Sequence, residues 1–129
     1  MIINKKSIRE LHFTHELWLI EMAYWKEEIT VLDKYLAEVT KLYTDNAIRA
    51  EVERFQNQFI IQQNFINSLK NDVKAQENLI QKLELDINSK ILQQKKSDDE
   101  YEIRDKMLTN QKLYVELKES FKKWLSNKL

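Results

Sequence analysis

The chain has 129 residues with no glycine, proline or cysteine, and its 21 basic residues balance 21 acidic ones. The absence of cysteine excludes disulfides and thiolate chemistry, and the absence of proline leaves no hard stop for a helix. Formal charge is −1 over residues 1–43, +1 over 44–96 and zero over 97–129, so no segment carries the basic excess of a nucleic-acid-binding surface.

Charged residues make up 33% of the chain and apolar ones 43%, a balance that suits thin helical layers with much surface and little core. The length favours one domain, 1–129. The longest apolar run, Leu17–Ile20, is only four residues, whereas a membrane span needs about twenty. The opening Met1–Lys6 lacks the apolar core of a signal peptide. A soluble, cytoplasmic protein is expected, with no role at membranes or on nucleic acids.

In chain order, residues 1–6 read as a short lead. Ser7-Ile8-Arg9-Glu10 is a capping-box pattern that opens a helix over about 7–43. Its apolar seam repeats every three and four residues: Ile8, Leu11, His15, Trp18, Met22, Trp25, Ile29, Leu32, Leu36, Val39, Tyr43. Thr44-Asp45-Asn46 follows as a turn; Thr44 or Asp45 can cap the next helix, and Asn46 tolerates unusual backbone angles.

The second helix is expected over about 46–94. Its seam is Ile48, Val52, Phe55, Phe59, Ile66, Leu69, Val73, Ile80, Leu83 and Ile87, with Gln62 and Gln76 filling the two gaps. Placing residue i opposite residue 91 − i brings every seam residue of the first helix onto the seam of the second, which predicts a long antiparallel hairpin. A break near Asn67-Ser68, giving four shorter helices, is the alternative.

Ser97-Asp98-Asp99-Glu100 reads as a second capping box, so a turn is expected near 94–98 and a third helix over about 98–127. Its seam is Ile103, Met107, Asn110, Tyr114, Leu117, Phe121, Trp124, which a 190 − i rule sets against the second helix. The fold class is therefore all-α, a staggered three-helix coiled-coil-like bundle. That register leaves residues 29–43 and 48–62 as a two-helix tip.

The two rules gather His15, Gln76 and Tyr114 in one layer. Each of these can donate and accept hydrogen bonds, and a buried polar layer fixes helix register at a cost in stability. A catalytic use of the trio lacks a nucleophile. His12 and His15 stand three residues apart, a spacing that can bind metal on one helix face. However, neither is preceded by Glu at the di-iron spacing, so His15 reads as a polar core position.

Trp18, Tyr24, Trp25, Phe121 and Trp124 make an aromatic-rich region that can line a small-molecule pocket or simply pack as core. Lys112–Leu129 is basic and amphipathic, as a membrane-surface helix is, but its apolar face is needed against the second helix. Val31, Leu42, Ile60, Ile61 and Phe65 lie off the seams near the tip and form a candidate interface.

Leu11-His-Phe-Thr-His-Glu-Leu-Trp18 and Val52-Glu-Arg-Phe-Gln-Asn-Gln-Phe59 resemble a family of short, uncharacterised bacterial helical proteins. The resemblance covers the first helix and half of the second, and implies no activity, cofactor or catalytic residue. The expected function is non-enzymatic: an interaction or scaffold module acting through helix–helix contacts, a homodimer through its tip, with no cofactor. The alternative is a ligand- or metal-binding bundle that uses His12, His15 and the aromatic region.

Overall fold

The computed structural model describes residues 5–129, with side chains from Ser7 onward. Residues 1–4 of the expected lead lie outside the described residues. Three helices make up the fold: α1 (Lys5–Leu42), α2 (Asn46–Leu85) and α3 (Lys90–Ser126). The all-α bundle is as expected, and each helix packs on both others.

α1 already includes Lys5 and Lys6, so Ser7 lies inside the helix rather than capping it. The first turn falls where expected. Asp45 takes the N-cap position of α2 with an extended backbone, although its side chain makes no cap hydrogen bond. α2 runs unbroken through Asn67 and Ser68, which removes the four-helix alternative. No described residue has a positive φ, so both turns close without the left-handed conformation that glycine favours.

The α1–α2 hairpin keeps its expected register. Lys26 Nζ donates to Asn67 Oδ1 at 2.8 Å, and His15 lies against Glu77. Both pairs sit within about two residues of the mirror rule, because the seam of each helix must face the other to leave water.

The second turn falls earlier than expected, at Asp86–Ser89 instead of 94–98. Ser89, not Ser97, caps the third helix: its hydroxyl accepts the Leu92 N–H at 3.2 Å. Gln93 Nε2 then donates to the Ile87 carbonyl at 2.6 Å and closes the turn. Ser97, Asp98 and Asp99 lie within α3, where Asp99 pairs with Lys95 and Asp98 accepts from Gln94. Two acids of the run that resembled a helix start are thus i,i+4 partners within α3.

This earlier turn slides α3 by two heptads. Phe121 packs on Phe55 and Phe59, with ring centroids 5.2 Å from each, rather than on Leu69. Trp124 lies 5.1 Å from Phe55 and donates its indole N–H to Glu51. The rule that fits these pairs is about 176 − i. α1 and α3 consequently run parallel at a constant offset: His15 meets Glu100 and Tyr43 O–H donates to the Lys128 carbonyl, both 85 residues apart, and Tyr114 meets Glu28 at 86.

The two-helix tip therefore does not exist. α3 covers it, and Leu36, Phe55 and Phe59 are buried. One core cluster runs from Met22 to Phe121 through all three helices, and a second holds Ile8, Ile80 and Leu83 near the α2–α3 turn. Burial of each such side chain stabilises by about 1.5–3 kcal/mol. No helix among the described residues is long and apolar enough to cross a membrane.

Candidate functional site

The polar layer is built on α1, α2 and α3 as expected, but its third member is Glu100. His15 occupies a seam position of α1 and is fully buried, with Gln76 opposite it on α2. Glu100 continues the α3 seam one step before Ile103, and the two-heptad slide brings it here in place of Tyr114. Its carboxylate oxygens lie 2.7 and 3.0 Å from His15 Nε2. Gln76 Nε2 donates to Glu100 Oε1 at 3.1 Å and to the Lys96 carbonyl at 2.9 Å.

The other face of the imidazole also meets a carboxylate. His15 Nδ1 lies 3.4 Å from Glu77 Oε2, without hydrogen-bond alignment. The same oxygen is 2.6 Å from Nδ1 of His12, whose Nε2 is 3.5 Å from Glu84. The Trp18 ring lies tilted against His15 at 5.4 Å between centroids, and the Arg104 guanidinium lies 5.6 Å over the Trp18 ring. Burial by itself pushes the His15 pKa down. The Glu100 hydrogen bond and charge, followed by the nearby Glu77 carboxylate, outweigh it, so the pKa stands above its ordinary value of 6.5.

Chemically, this arrangement sets a buried imidazole between two carboxylates, which favour its protonated form. With its ring sealed from solvent, His15 cannot touch a substrate, and no Ser, Thr or Lys side chain makes a hydrogen bond to it among those described. Among the described residues no group of three or more His, Cys, Asp or Glu is placed to hold a metal ion. The adjoining α2–α3 groove is small, about 210 Å³, and edged by Asp72, Lys95, Asp99, Glu102 and Lys106.

Tyr114 belongs to a different cluster, two heptads further along α3. Its hydroxyl donates to Glu28 Oε1 at 2.8 Å, and Lys118 Nζ lies 3.3 Å from both Glu28 oxygens. Partial burial pushes the Glu28 pKa up, but the Tyr114 and Lys118 hydrogen bonds outweigh it and the carboxyl stays below its ordinary value. Burial and the Glu28 carboxylate push the Tyr114 hydroxyl up.

The expected aromatic region is dispersed by the same slide. Phe121 and Trp124 pack with Phe55 and Phe59 beside the first turn. Trp25 lies 6.0 Å from Tyr114, Trp18 lies tilted against His15, and Tyr24 faces outward. These five side chains line no common pocket. The apolar face of Lys112–Leu129 is occupied by core packing through Tyr114, Leu117, Phe121, Trp124 and Leu125.

The five candidate interface residues, Val31, Leu42, Ile60, Ile61 and Phe65, are all exposed. Val31 and Leu42 stand on α1 and the other three on α2, where Ile61 lines a groove with Leu113 and Leu117 of α3.

Glu100 could have been found in the sequence by extending the α3 seam backwards from Ile103, which places Glu100 and then Lys96 on it. The capping-box reading of Ser97–Glu100 hid that continuation. Comparisons with protein-family models, curated proteins and solved structures returned no match for this chain.

Proposed function

We propose that this protein is a non-enzymatic, cytoplasmic interaction or scaffold module that works through helix–helix contacts and pairs with a second copy of itself. The observation that supports this reading is a row of large apolar side chains on the outside of α1: Phe13, Leu17, Ile20, Tyr24, Val31, Tyr35 and Leu42 are 38–66% exposed. Scattered exposed apolar residues are ordinary, but a row along one element marks an interaction surface. The inward face of the same helix is already covered by α2 and α3 through Met22, Trp25, Ile29, Leu36 and Val39.

The buried polar layer fits the same reading, since a sealed His–Glu–Gln set fixes which helices meet and in what register. The resemblance of Leu11–Trp18 and Val52–Phe59 to bacterial helical proteins adds no chemistry to it. Light scattering at micromolar concentration tests the proposal. A mass of twice 15.7 kDa is expected, and 15.7 kDa itself rejects self-association.

A further inference from the structure

Seven exposed apolar residues on α1 occupy one face with a regular and symmetric spacing. They are Phe13, Leu17, Ile20, Tyr24, Val31, Tyr35 and Leu42. At about 100° per residue they fall within a sector of roughly 60°, and at about 1.5 Å per residue they extend over roughly 43 Å. Among the described residues, exposed Tyr101, Leu108 and Val115 on α3 make a sparser row of three separated by full heptads.

The α1 row is a palindrome. With position 38 counted in, its steps read from either end are four, three and four residues, then a central gap of seven spanning Glu27–Glu28, then four, three and four again. Only Glu38 interrupts the apolar character at these positions. An antiparallel copy of the same helix, with residue i opposite residue 55 − i, therefore sets Phe13 against Leu42, Ile20 against Tyr35 and Tyr24 against Val31. Leu17 alone meets a charged residue, Glu38.

Charge favours the same direction. Exposed Glu10, Glu16 and Glu27 outnumber Arg9 in the first part of the helix, and exposed Lys34 and Lys41 stand with Asp33 and Glu38 in the last part. A parallel copy stacks Glu16 on Glu16, Glu27 on Glu27 and Glu38 on Glu38, whereas the antiparallel copy confines its like-charge contact to Glu27 against Glu28 at the centre. An antiparallel copy brings Lys41 within about two residues of the level of Glu16. Area is also sufficient. Seven side chains of this size, each about half exposed, offer roughly 100 Å² apiece, which with their polar rim reaches the roughly 800 Å² per partner of a stable pair.

We infer that this face of α1 is the site of an antiparallel two-fold contact with a second copy of the chain, centred on Glu27 and Glu28. The inference rests on the self-association proposed above and goes further by naming its surface and direction. A two-fold contact buries the same patch on both copies and closes on itself, so it stops at a dimer.

The test uses the full chain, which has no cysteine of its own. Leu17→Lys with Ile20→Lys changes exposed positions only, so circular dichroism and the melting curve stay as in the parent. The dimer dissociation constant in sedimentation equilibrium rises by roughly 100-fold or more. With a short bifunctional thiol reagent, Glu27→Cys links copy to copy. Phe13→Cys alone does not link, whereas a mixture of Phe13→Cys and Leu42→Cys does.

Self-linking by Phe13→Cys alone overturns the antiparallel direction. A dimer that survives both lysines overturns this surface while leaving self-association intact. A parent chain that stays monomeric at about 100 µM removes the inference together with the self-association beneath it.

Discussion

The two ends of the bundle are built from opposite materials. Beside the α1–α2 turn, Phe55, Phe59, Phe121 and Trp124 fill the core with rings in edge and tilted contacts. Toward the α2–α3 turn the same layer positions hold His15, Gln76 and Glu100. The aromatic end gains area and dispersion from any apolar partner, so it tolerates a slide of one heptad onto the next. The polar end does not, because a slide leaves Glu100 and His15 buried without each other, and an uncompensated buried charge costs several kcal/mol. Both ends bear on the register, and the polar end penalises a slide more heavily.

Truncation at the aromatic end has the largest expected effect on that contrast. Phe121 is fully buried, and Phe121→Ala removes its contacts with Phe55, Phe59 and Trp124 and leaves a cavity. Urea melts are expected to show a loss of about 3–5 kcal/mol. A loss under about 1 kcal/mol places α3 in another register.

At the polar end a single change costs more than a coordinated one. Glu100→Leu strands the His15 ring and the Gln76 amide, with an expected loss of about 3 kcal/mol. His15→Leu, Gln76→Leu and Glu100→Leu together remove every member of the layer, and the triple variant is expected to recover most of that loss. The same denaturant melts check this. A triple variant as weak as the single one separates the three residues.

Removing a proton from the layer perturbs it less than removing a side chain. The His15 pKa is raised in the folded chain above 6.5. Its contribution is therefore complete below about pH 6.5 and is lost as pH rises through the higher folded value. Thermal midpoints between pH 6 and pH 9 are expected to fall more in the parent chain than in His15→Gln. Parallel pH profiles for the two place the raised pKa elsewhere.

Helical content, the α1–α2 hairpin and most seam positions were legible in the sequence. Local and periodic terms made them so: no helix breakers, a three–four repeat, and a turn at Thr44–Asn46 short enough to leave one mirror register. His15 and Gln76 were legible as a layer because both sit on seams of that hairpin.

The position of α3 was set by long-range packing. A heptad repeat maps onto itself when shifted by seven residues, so the 190 − i and 176 − i registers place seam on seam equally well. Both Ser89 and Ser97 are chemically able to cap a helix. The choice rests on long-range matches that periodicity does not contain. The Phe121 ring fits between Phe55 and Phe59, Tyr43 reaches the Lys128 carbonyl, and the Glu100 carboxylate meets the His15 imidazole. Those contacts involve residues as many as 85 positions apart, and a buried ion pair is satisfied only when all three helices are in place.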